Sequence, residues 1–135
     1  MTVEYVRQLV AKYSSIREVW LYGSRANGEE RSTSDWDYLA FADGDTLRAL
    51  SKDTDFNWSN IDLMIVTDDV LFEKPWIDAD RKKTGTLADD FSIGGLAWKR
   101  LSATSAKYRS AKRDATDKSG FRSIVRALKA QRVYP

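Results

Sequence analysis

At 135 residues the chain is one domain by length, with enough sequence to bury a single core. It has no Cys and no His, which excludes disulfides, zinc–thiolate sites, cysteine nucleophiles and imidazole bases, and leaves carboxylates, hydroxyls, Lys and Arg for any chemistry. The net charge of +2 divides into −8 for residues 1–80 and +10 for residues 81–135, an acidic half followed by a basic half able to meet something anionic.

Val3, Val6, Leu9 and Val10 have the spacing of an amphipathic helix over Val3–Tyr13, which Ser14-Ser15 ends. Val19–Tyr22 is short, aromatic and branched, as suits a buried strand, and Gly23 ends it where the backbone turns sharply or approaches a ligand closely. A helical turn is expected next. If Ser24 caps it, the hydroxyl and the first-turn N–H groups face outward together and bind phosphate oxygens. Ten residues later a second strand carries Asp35 and Asp37, which leave one face while Trp36 and Tyr38 leave the other. Two carboxylates at one end of a sheet repel each other, and either a raised pKa or a cation relieves the repulsion. Mg²⁺ or Mn²⁺, hard and oxygen-preferring, is the cation such ligands select.

Asp43-Gly44-Asp45 reads as a turn, and Leu47 and Leu50 mark a short helix over Thr46–Lys52. Asp53, Asp55 and Asn57 lack the Gly and the closing Glu of a calcium loop and read as a solvated connection. Asn60–Val66 is a third strand with one carboxylate, Asp62, near its start. Alone, Asp62 would be a turn cap; beside Gly-Ser and Asp-x-Asp it joins the same plan.

The ordered set Gly23-Ser24, ten residues, Asp35-Trp36-Asp37 and an apolar-flanked Asp62 resembles the nucleotidyltransferases of the DNA polymerase β superfamily, most closely the minimal nucleotidyltransferases, over roughly residues 3–66. The resemblance implies an α/β (α+β) nucleotidyltransferase fold, a small mixed sheet flanked by helices. It implies transfer of a nucleoside monophosphate, AMP from ATP, to a hydroxyl acceptor with loss of pyrophosphate. Asp35, Asp37 and Asp62 would be catalytic and metal-holding, with Mg²⁺ or Mn²⁺, and Gly23, Ser24 and Arg25 would contact the nucleotide. Among such relatives the acceptor is a toxin protein modified by its antitoxin, another protein, a small molecule such as an aminoglycoside, or an RNA end, and the resemblance does not choose. The toxin of such pairs carries Arg-x₄-His, which a chain without His cannot supply, so that partner is a separate polypeptide. By the length prior a separate template-gripping domain is not expected in these 135 residues, and a processive polymerase is an unexpected reading.

Beyond Val66 the pattern weakens. Asp68-Asp69 reads as the cap of a helix starting near Val70 that Pro75 ends, and Arg81–Gly85 as a basic turn; residues 67–95 receive no functional role. Ile93–Leu96 reads as a turn before a polar helix over Ala97–Arg113, with Leu101 and Tyr108 on one face and Lys99, Arg100, Lys107, Arg109, Lys112 and Arg113 opposite. Phe121, Ile124, Val125 and Leu128 predict a last helix running toward Arg132. The expected organisation is one domain, 1–135, with a core over about 1–95 and a basic helical extension over about 96–135. The cations there are either a solvated face or a weak, salt-sensitive contact with nucleic acid. Two other readings stand beside the transferase: a catalytically silent binding or antitoxin protein, and a nucleic-acid-binding module built on the basic helices. Hydrophobic content of 42% and charged content of 31%, with no apolar run of membrane-spanning length, make the cytoplasm the expected location and a membrane an unexpected one.

Overall fold

In the computed structural model, which describes residues 2–77, 83–87, 97–113, 116, 118–119 and 123–135, the apolar run Val19–Leu21 lies in the middle of a sheet. The elements are α1 (Thr2–Lys12), β1 (Glu18–Tyr22), a 3-10 turn (Ser24–Ala26), β2 (Trp36–Phe41), α2 (Gly44–Ser51), a second 3-10 turn (Thr54–Phe56), β3 (Ile61–Thr67), β4 (Leu71–Glu73), β5 (Thr84–Thr86), β6 (Lys99–Arg100), β7 (Ser105–Arg113) and β8 (Ser123–Tyr134). Among the described residues these strands form one mixed sheet in the order β5-β4-β3-β2-β1-β8-β7-β6. The β2–β3 pair is parallel and every other neighbouring pair antiparallel.

The three central strands are buried on both faces, which explains their continuous apolar runs. Val19, Leu21, Tyr38, Ala40, Leu63 and Ile65 pack under the helices with Tyr5, Leu9, Leu50 and Phe56. Tyr5 and Leu9, four apart on α1, are fully buried, and the Tyr5 hydroxyl donates to the Phe56 carbonyl at 2.9 Å, tying the helix to the loop before β3. Asp43 caps α2 by accepting from the Thr46 N–H at 2.8 Å. The alternate residues Trp20, Leu39, Phe41, Met64 and Val66 build a second core with Phe72, Leu87, Ala106, Tyr108 and Ala130. Trp98 meets Trp20 edge-on at 5.1 Å and stacks on Tyr108 at 6.3 Å, so the last strands curl over this second face.

Among the described residues of the two basic helices expected over Ala97–Arg113 and Phe121–Arg132 there is no helix, and Lys99–Arg100, Ser105–Arg113 and Ser123–Tyr134 are strands instead. β7 and β8 pair antiparallel from Ser105↔Gln131 to Arg113↔Ser123, and β8 pairs on its other side with β1. Leu101 and Tyr108, read as one helical face, separate completely: Leu101 is 56% exposed and Tyr108 only 3%. The side-chain period is two, with Ala106 and Tyr108 inward and Lys107 and Arg109 outward. Helix propensity in an Ala- and Lys-rich segment is overridden by the open edge of β1, whose N–H and C=O groups need a partner. The helix expected after Asp68-Asp69 is likewise absent. Both residues adopt left-handed φ of 53° and 60° in a turn leading directly into β4. Turns read at Ile93–Leu96 and over Arg81-Lys82 lie outside the described residues. Among the described residues no helix is long and apolar enough to cross a membrane.

Candidate active site

β1 ends at Tyr22, and Gly23 turns the chain with φ +75°, ψ −161°. A Cβ built on Gly23 would lie 2.0 Å from Asp37 Oδ2. Two independent reasons therefore exclude a side chain here: the left-handed φ and the carboxylate pressed against the backbone. The turn is tied from both ends. Gly23 N–H donates to the Tyr108 hydroxyl at 2.7 Å, and its carbonyl accepts from Asn27 Nδ2 at 2.8 Å. The helical turn expected after the glycine is the 3-10 turn Ser24–Ala26. Gly23 holds the cap position, so the Ser24 side chain lies within the turn and does not cap it. Arg25 braces the loop: its guanidinium sits 4.3 Å from the Trp36 ring centre, and Nε and Nη2 donate to the Ser34 carbonyl at 3.1 and 3.0 Å.

The carboxylates follow from the strand register. Tyr22 of β1 is opposite Asp37 of β2, and Asp37 is opposite Asp62 of β3, giving one row across three strands. Parallel register makes Asp37 and Asp62 side-by-side neighbours on the face of the second core. Burial raises the Asp37 pKa to about 7, the negative charges of Asp62 and Asp35 add to the rise, and Lys83 opposes it. Asp35 precedes β2, is exposed, and reaches the pair through its field. Tyr22 is held well above its ordinary value by burial and then by Asp62 and Asp37, and burial pushes Tyr108 up to about 12. Both phenols stay protonated.

Asp62 has the partner a carboxylate in an apolar strand needs. Lys74 Nζ is 3.6 Å from Oδ1 and Lys83 Nζ 3.4 Å from Oδ2. The two lysines arrive together, from the end of β4 and the start of β5, where Lys74 N–H donates to the Lys83 carbonyl at 2.9 Å. Asp62 Oδ1 is nevertheless buried without a hydrogen bond, an acceptor left for something else. Asp37 and Asp62 are the two carboxylates that the register sets side by side, and they are the residues that could hold a hard cation. Among the described residues no three acidic groups converge as a ready-made metal site. Two carboxylates plus substrate phosphates is a coordination Mg²⁺ commonly accepts.

Tyr22, Asn27, Lys74, Lys83 and Tyr108 are site residues that the sequence reading does not single out. Tyr22 carried a signal, since it ends the strand before the glycine and antiparallel pairing sets it beside Asp37. The lysines lie in a stretch without periodicity, and Tyr108 in a strand that reads as a helix.

The family model described as polymerase beta, nucleotidyltransferase matches residues 4–57, a span containing the Gly23 turn, Asp35 and Asp37 and ending before Asp62. Searches of curated proteins and of solved structures found no match. Residues 4–57 are therefore similar to the nucleotidyltransferase domain of the polymerase beta family, a match that spans less than half of the chain.

Proposed function

We propose that the protein transfers a nucleoside monophosphate, AMP from ATP, to a hydroxyl acceptor with Mg²⁺ or Mn²⁺ as cofactor. The observation that carries this reading is the Asp37–Asp62 pair, set side by side against Gly23 with Asp62 Oδ1 lacking a hydrogen bond. In the reaction the acceptor oxygen attacks the α-phosphorus, the bond to the β-phosphate breaks, and pyrophosphate leaves as the hydroxyl proton passes to solvent. Asp37 and Asp62 would hold the ion, with Asp35 adding negative charge from outside the strand. When bound, a divalent ion neutralises the phosphates and lowers the pKa of the acceptor hydroxyl. Gly23, lacking a side chain, makes room for the Asp37 carboxylate at the turn where the triphosphate would lie, and Ser24 offers a hydroxyl to it. Lys74 and Lys83, at ion-pair distance from Asp62, are placed to exchange the carboxylate for the departing pyrophosphate.

The same lysines favour a second reading, a catalytically silent protein whose carboxylate is neutralised internally. Calorimetry with Mg-ATP and single-turnover transfer from α-labelled ATP into cell extract separate the two. Metal-dependent nucleotide binding with a labelled product supports the transferase. Neither binding nor label, with Lys74→Met still unable to bind the ion, supports the silent protein.

A further inference from the structure

Strands β6, β7 and β8 contain no Asp or Glu. Their pairing places Lys99 opposite Lys107 and Lys107 opposite Lys129, three ammonium side chains in one row across three adjacent strands. All three are exposed, on the face opposite Ala106, Tyr108 and Ala130, which are buried in the second core. Like charges directly opposite each other destabilise a sheet. On the same strands Arg100 and Arg126 are paired, with Glu18 and Glu29. Among the described residues none of the three lysines has an ion-pair partner. A shallow cavity of about 320 Å³ adjoins the row, lined by Lys99, Lys107 and Arg109 with Ala97, Tyr108 and Ala127.

We infer that this face docks the phosphate backbone of a nucleic acid. Neighbouring strands are about 4.8 Å apart, so the flexible lysine stems can follow successive phosphates as point charges. Protein interfaces are depleted of Lys at their centres, which disfavours a protein partner on this row. The face is also connected to the candidate active site. Lys129 N–H donates to Asn27 Oδ1 at 2.8 Å, and Asn27 Nδ2 donates to the carbonyls of both Lys129 (3.0 Å) and Gly23 (2.8 Å). A strand lying on the row thus passes beside the glycine turn. The contact goes beyond the nucleotidyl-transfer reading and does not require it, and backbone contacts make it tolerant of sequence.

The test is fluorescence anisotropy over a salt series with labelled oligothymidylate, oligouridylate and a duplex of the same length. The variants are the triple Lys99→Thr/Lys107→Thr/Lys129→Thr, its Lys→Arg counterpart, and Arg7→Gln/Arg48→Gln/Lys52→Gln as an equal charge loss on the helices. Each is checked for folding by circular dichroism. The wild type should bind at least one probe. The Thr triple should lose about tenfold or more at low salt and flatten the log–log salt slope by about 2, at roughly 0.7 per single-strand phosphate. The Arg triple and the helix triple should stay near wild type. Equal binding by the Thr triple, equal loss in the helix triple, or wild-type capture of anionic vesicles or polyglutamate but no oligonucleotide overturns the proposal. Mg-ATP calorimetry on the same proteins keeps the two ideas apart. Nucleotide binding without oligonucleotide binding overturns the docking face alone, whereas oligonucleotide binding without nucleotide binding supports the face and overturns the transferase.

Discussion

Strands β2 and β3 belong to the same sheet as β7 and β8 and are built on a different principle. The first pair is parallel, buried on both faces and interrupted only by Asp37 and Asp62. The second is antiparallel, buried on one face, and presents cations on the other. An acidic residue in a two-sided core needs a partner, and there it marks a site. A basic residue on a one-sided strand is already solvated, so single cations carry no signal and only their cross-strand alignment does. The regions meet at Gly23, whose N–H is bound by Tyr108 and whose open space holds the Asp37 carboxylate.

Breaking that junction should give the largest effect. Gly23→Val places a branched side chain on Asp37 at a positive φ that only glycine readily adopts, a conformational cost of about 1–3 kcal/mol before the steric clash is counted. Mg-ATP binding should vanish in calorimetry and the thermal midpoint should fall, with both losses larger than for Ser24→Ala. Equal losses would mean that the serine hydroxyl, not the close backbone, dominates.

Within the acidic region, Asp37→Asn should impair nucleotide binding and transfer together. Asp62→Asn should retain much of the affinity and lose turnover by about two orders of magnitude, on the order of 3 kcal/mol. Near-normal single-turnover transfer by Asp62→Asn would make Asp62 an anchor for Lys74 and Lys83 and nothing more.

The raised pKa of Asp37 adds a pH signature. Its ordinary value is 3.8 and its folded value about 7, so between these the native state holds a proton that the unfolded state has released. Stability attributable to Asp37 is therefore highest below about pH 4, falls as pH rises through 7, and stays low above, by at most a few kcal/mol. Thermal melts between pH 5 and 8 should show the decline, while Asp37→Asn should reduce it and Mg²⁺ with nucleotide offset it. A wild-type slope identical to that of Asp37→Asn would remove Asp37 as the titrating group.

The link between regions can be loosened gently. Tyr108→Phe leaves the Gly23 N–H without its acceptor and should cost about 1–3 kcal/mol, read as a lower thermal midpoint with weakened Mg-ATP binding. An unchanged midpoint would show that the hairpin is held by packing alone. The smallest effect is expected at Arg25, where Arg25→Gln should cost about 0.5–1 kcal/mol through the lost Trp36 contact and leave Mg-ATP affinity nearly unaltered. A large loss of affinity would return Arg25 to the phosphates.

Local chemistry made half of this molecule legible. Helix α1 follows from Val6 and Leu9, strands β1 to β3 from apolar runs that only a two-sided core accommodates, and α2 from Leu47 and Leu50. Gly23, Asp37 and Asp62 could be picked out because glycine at a strand end and carboxylates in apolar strands are costly without a purpose, and Asp35 because it stands two residues before Asp37. Tertiary structure alone decided the rest. Whether 105–113 and 123–134 coil or extend depends on the edge of β1, which lies more than a hundred residues from β8 in sequence and forms a ladder only once β1 is placed. The partners of Asp62 are Lys74 and Lys83 because β4 ends and β5 begins beside it, and the acceptor for Gly23 N–H comes from Tyr108 because β7 curls over the second core. The lysine row exists only as cross-strand register, a property of paired strands that no single stretch of sequence contains.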